Sequence, residues 1–71
     1  MEDKNKIYSV YYTGSYSRGL YIVAANNLQD AKDIVERSGK LYSPLSYNSG
    51  EFIGYTHRKI GTILAYSQYA E

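Results

Sequence analysis

The sequence predicts an α+β domain of order β-β-α-β-β: a four-stranded, mainly antiparallel sheet with one helix on one face. Three observations predict it. Residues 7–13 (IYSVYYT) and 20–25 (LYIVAA) are rich in β-branched and aromatic residues and flank a glycine-bounded turn, the pattern of a hairpin. Residues 26–40 hold the clearest helical periodicity, with capping residues at both ends. Residues 51–57 and 60–67 then return to strand composition, so one helix stands between two pairs of strands. All 71 residues belong to one domain, with 1–6 and 68–71 expected to fray.

In the first strand Ile7, Ser9, Tyr11 and Thr13 share one face, and Tyr8, Val10 and Tyr12 share the other, because side chains alternate along a strand. GSYSRG supplies the turn, its glycines permitting positive φ. In the return strand Leu20, Ile22 and Ala24 oppose Tyr21, Val23 and Ala25.

The helix is predicted from Asn26 or Asn27 as N-cap, with Gln29 or Asp30 three residues on completing a capping box. Leu28, Ala31, Ile34 and Val35 make its apolar stripe, and Gly39 suits the left-handed residue that ends a helix. Asp33 and Arg37 stand at i,i+4 on the wet side, a pairing worth a few tenths of a kcal/mol. The acids Asp30, Asp33 and Glu36 alternate with Lys32 and Arg37, which marks a solvated helix face rather than a metal or acid–base cluster.

KLYSPLSYNSG, residues 40–50, reads as a long loop with a short extended piece around Leu41–Tyr42, suited to function or to an interface. EFIGYTH and IGTILAYS read as a second hairpin joined at Arg58–Lys59, with Gly54 and Gly61 marking bulges or a close backbone approach. A helix that returns along the sheet makes strands two and three parallel. Arg18 and the Arg58–Lys59 turn then lie at opposite ends of one chain, and an antiparallel dimer would bring them together.

So short a chain buries only about 60 % of its unfolded surface, and its stability needs a supplement. With no cysteine, neither a disulfide nor a thiolate zinc site supplies it, and one histidine with seven acids points to no metal and no cofactor. Ten tyrosines and no tryptophan are the resource that remains. A helix covers one face of the sheet, so the tyrosines are expected to serve the other, which tolerates water before association and dryness after it. Simple cross-strand aromatic pairing is the other reading. The first reading implies a homodimer or larger assembly.

A net charge of +1 gives no long-range attraction for duplex DNA or an anionic membrane. The longest apolar run, LYIVAA, is too short to span a bilayer, and MEDKNK lacks the apolar core of a secretory signal, so a cytoplasmic location is expected.

No catalytic residue is assigned. His57 has no carboxylate to orient it, since Glu51 on the same strand is roughly 20 Å away by strand rise. The serines near Tyr42 and Tyr47 lack a nucleophile-elbow motif, and GSYSRGLYIV leads into a strand instead of opening a helix as a phosphate loop does. What remains is recognition chemistry. Tyr11, Tyr12, Tyr16 and Arg18 around the first turn, Tyr42 and Tyr47 in the loop, and Tyr55, His57, Arg58 and Lys59 around the second combine planar rings, hydroxyls and cations. They can anchor a protein partner, or stack a base and neutralise a phosphate.

The stretch YIVAANNLQDAKDIV, an extended strand running into a capped short helix, together with the size and element order, resembles small proteins encoded by bacteriophages and mobile elements. Many of these are inhibitors that block a host defence component or sequester a signalling nucleotide. The resemblance implies a non-enzymatic, stoichiometric role, in host-cell cytoplasm if the protein is phage-encoded, and assigns no residue. The expectation is therefore a small oligomeric binding protein acting on a host protein or a phosphorylated small molecule. The alternative is a single-stranded nucleic-acid-binding module that reads bases on its tyrosines.

Overall fold

The structure, a computed structural model, describes residues 4–39 and 45–70. Its elements are β1 (Asn5–Thr13), β2 (Ser17–Ala24), α1 (Leu28–Arg37), β3 (Ser46–Thr56) and β4 (Ile63–Ala70), in the order expected. They form one open sheet with strand order β3-β1-β2-β4, in which every neighbouring pair is antiparallel. Strands β2 and β3 run in the same direction, as expected, but with β1 between them. The β1–β2 turn and the β3–β4 connection accordingly lie at opposite ends of a molecule 45 Å long.

Two expectations are corrected. Strands β3 and β4 do not form a hairpin: they occupy opposite edges of the sheet. Residues 57–62 cross three strand spacings to join them, roughly 14 Å, well within reach of six residues. Gly61 lies in this connection, where its N–H bonds the Ala24 carbonyl at 2.8 Å. The second correction concerns 40–50, which is not all loop. Strand β3 begins at Ser46, and Ser46–Gly50 pair with Val10–Thr13. Leu41 and Tyr42 lie outside the described residues. Pairing also reaches Asn5 at one end of the chain and Ala70 at the other.

The helix forms for the reasons its sequence suggests. Asn27 is extended at the N-cap and its side chain accepts from the Asp30 N–H at 2.8 Å. Ser38 closes the C-terminus onto Val35, and Gly39 follows at φ +81°, a conformation only glycine adopts without strain. Arg37 reaches the backbone carbonyl of Asp33 at 3.3 Å. Ala31 and Val35 are fully buried against Val10, Tyr12, Tyr21 and Val23 of the two central strands, with Leu45 completing the cluster.

The helix can lie this close because of Gly50 on β3. A Cβ there would stand 2.6 Å from a Leu28 methyl and 2.9 Å from the Ser9 carbonyl oxygen. The methyl can swing aside; the carbonyl belongs to the β1 ladder and cannot. Gly50→Ala is therefore expected to lower the unfolding free energy by about 1–3 kcal/mol, the usual cost of overpacking, measured by chemical denaturation. An unchanged midpoint would show that β3 adjusts freely.

Candidate functional site

The structure reverses the expected placement of the tyrosines. By strand register Tyr8, Tyr12, Tyr21, Tyr47, Tyr55 and Tyr66 all stand on the helix-bearing face. Four of them, one from each strand, form a row across the sheet. Tyr47 meets Tyr12 edge-on with ring centres 5.9 Å apart, Tyr12 meets Tyr21 edge-on at 5.7 Å, and Tyr21 stacks on Tyr66 at 5.8 Å with planes 10° apart. The diagonal step from Tyr12 to Tyr21 passes over Gly19, where a Cβ would come within 3.0 Å of the Tyr21 ring. Cross-strand pairing is thus the principal use of tyrosine in this fold.

The phenol groups of the inner pair are placed on partners at the margin of the core. Tyr12 donates to Glu36 at 3.2 Å, and Tyr21 donates to the Gln68 side chain. Burial raises the pKa of Tyr12 well above the usual phenol range, with the Glu36 charge and hydrogen bond adding to it. Burial also raises that of Tyr21, assisted by Tyr66. Glu36 therefore caps a core hydroxyl, a role beyond that of a solvated acid.

Tyr12, expected as a contact residue, is core: it is 1 % exposed. Tyr47 lies under the helix edge with the Lys32 ammonium 4.2 Å above its ring, which closes that end of the row. Tyr55 is well exposed at the far end of β3, edge-on to Phe52, which in turn touches Tyr8. His57, Arg58 and Lys59 are exposed in the following connection, where the Asn5 side chain bonds the Arg58 carbonyl at 2.7 Å. Tyr42 lies outside the described residues.

Three of the expected residues do come together. Tyr11, Tyr16 and Arg18 line a depression of about 170 Å³ at the β1–β2 turn, together with Thr13, Ser15 and Ser17. An adjoining hollow of about 270 Å³ shares Tyr11 and Arg18 and adds Leu20 and Ser67. The turn is closed by the Gly14 N–H on the Ser17 carbonyl at 2.8 Å, and Tyr16 within it is 74 % exposed. Leu20, 42 % exposed, and Ser67 were not among the expected site residues. The alternation of β2 places Leu20 on the face of Tyr11, but only the β2–β4 pairing brings in Ser67. This open face is a mixed surface, Ile7, Tyr11, Leu20 and Ile22 along its middle and Arg18, Glu51 and hydroxyls around them.

Among the described residues no group of acids and histidine gathers to hold a metal, and no helix is long and apolar enough to cross a membrane. What fold and site define is a small α+β domain with an open antiparallel sheet, one face aromatic and helix-covered, the other mixed. Compared with protein-family models, curated proteins and solved structures, the chain finds no match in any of the three.

Proposed function

We propose that this is a small non-enzymatic, self-associating binding protein that engages a macromolecular partner through the open face of its sheet at the β1–β2 turn. The observation that carries the reading is the gathering of Tyr11, Tyr16, Arg18 and Leu20 around two adjoining hollows. Aromatic rings, an arginine and short hydroxyls are the residue types that dominate recognition surfaces.

The role is that of an inhibitor of the phage or mobile-element kind, which blocks a host defence protein or sequesters a nucleotide signal. The size of each hollow favours the first. Sites that enclose a small ligand run to roughly 300–1,000 Å³, and hollows of about 170 and 270 Å³ are smaller. They fit inserted side chains of a protein better than a whole nucleotide.

Native mass spectrometry of the protein purified from its own cells, beside the Tyr11→Ala/Arg18→Ala variant, tests the reading. The expected result is a second protein in fixed ratio on the wild type and its loss from the folded variant. A retained nucleotide would move the assignment to sequestration, and an oligonucleotide to single-strand binding. Catalytic turnover of whatever is retained would overturn it.

A further inference from the structure

We propose that a second copy of this chain adds at the β4 edge, antiparallel and centred on Tyr66, to make one continuous eight-stranded sheet. The inference deepens the self-association in the reading above and rests on that part alone; target binding is measured separately, so either can fail without the other.

The main chain of β4 offers the contact. Ala24 directs both its N–H and its carbonyl to the β4 side, bonding Thr62 at 2.9 Å and Gly61 at 2.8 Å, while the Ala25 N–H bonds Lys6 on the β1 side. Alternation along β2 then gives the main-chain groups of Ile22 and Leu20 to their β4 partners Ala65 and Ser67. Tyr66 and Gln68, between and beyond those partners, turn their N–H and carbonyl groups to the outer edge.

The two edges of the sheet differ in how they meet solvent. Strand β3 carries Glu51, two glycines and two register shifts, devices that discourage strand addition. Strand β4 (ILAYSQYA) has no charged residue, no proline and no glycine, and a single shift near its start. It is an edge of the kind that pairs with another chain.

Why the occupant is a second copy follows from the aromatic row. Its β3 end is closed by Lys32, whereas Tyr66 at its β4 end stays 48 % exposed. An antiparallel pair centred on Tyr66 overlaps residues 63–69 of β4, sets Tyr66 against the partner's Tyr66, and joins two four-ring rows into one. With no charge in the strand, self-pairing meets no repulsion. The same symmetry brings the Tyr16–Arg18 end of one copy to the end that holds the partner's Arg58 and Lys59.

In this register Ala65 faces the partner's Ser67. Both are exposed on the monomer, so substitutions there leave the core alone. Light-scattering mass at micromolar concentration is expected to be twice 8.1 kDa for the wild type, to halve for Ala65→Lys/Ser67→Lys, and to stay double for Ala65→Lys/Ser67→Glu. Amide exchange read by NMR is expected to show Tyr66 and Gln68 protected in the wild type and exposed in the double-lysine variant. A wild-type monomer with fast exchange at both amides overturns the proposal. So does a dimer that survives the double-lysine change, or one that the lysine–glutamate change dissociates.

Discussion

Alanine at Tyr21 is expected to lower the unfolding free energy by about 3–5 kcal/mol, the range for truncating a large buried aromatic residue. Tyr21 is fully buried, and it is the one ring that touches both Tyr12 and Tyr66, so its loss opens a cavity and splits the row in two. At roughly 0.05–0.15 kcal/mol per residue, 71 residues give a total of about 4–11 kcal/mol. The substitution therefore removes roughly a quarter of the stability or more, and at the low end unfolds the protein. Tyr21→Phe keeps the ring and loses the hydroxyl with its bond to the exposed Gln68 side chain, so about 0.5–1.5 kcal/mol is expected. Guanidinium denaturation followed by circular dichroism separates the two. Tyr11→Ala, on the open face, is the control. If it costs as much as Tyr21→Ala, the assignment of the tyrosines to two unequal faces is wrong.

That assignment marks the boundary of what the sequence makes legible. The alternation in IYSVYYT separates Tyr11 from Tyr8 and Tyr12, and the structure keeps the separation. Which set meets the helix is not local information. It is decided by Gly50, which admits Leu28, and by Gly19, which admits the Tyr21 ring; neither glycine sits in a segment whose pattern reveals the contact. The helix is legible in full because its signals are local: Asn27 before the stripe, Gly39 after it. Strand β3 is half hidden because SYNSG lacks β-branched residues; an edge strand with one ladder and an exposed outer side needs few. The false hairpin at Arg58–Lys59 has the same origin. A turn between two strands looks alike whether the strands pair or straddle two others, and only the β1–β3 and β2–β4 registers distinguish them. Of the site, Tyr11, Tyr16 and Arg18 are legible from their closeness to one turn. Tyr12 is misplaced by the one-residue alternation, and Ser67 is reachable only through the sheet order.

The buried phenols also set how the fold responds to alkali. Tyr12 and Tyr21 hold their protons more tightly in the folded chain than in the unfolded one, chiefly because burial penalises the phenolate, and for Tyr12 also because Glu36 stands beside it. Below the ordinary phenol pKa of about 10 both states keep these protons, and the two residues contribute no pH dependence. Above it the unfolded chain releases them while the folded chain does not, so the unfolded state binds fewer protons and stability falls as pH rises. The limiting slope is about 1.4 kcal/mol per pH unit for each phenol so held. Tyr12 stays below that limit, because its hydroxyl lies at the rim beside the exposed Glu36 carboxylate, where water screens it. Denaturation midpoints taken from pH 8 to 12 are expected to hold steady and then decline beyond about pH 10. Tyr12→Phe should make the decline shallower by removing one of the two groups, and Glu36→Gln should do so more weakly by removing only the neighbouring charge. Equal slopes in the wild type and Tyr12→Phe would mean that the Tyr12 hydroxyl reaches water in the folded protein, and with it that the helix does not seat Glu36 over the row.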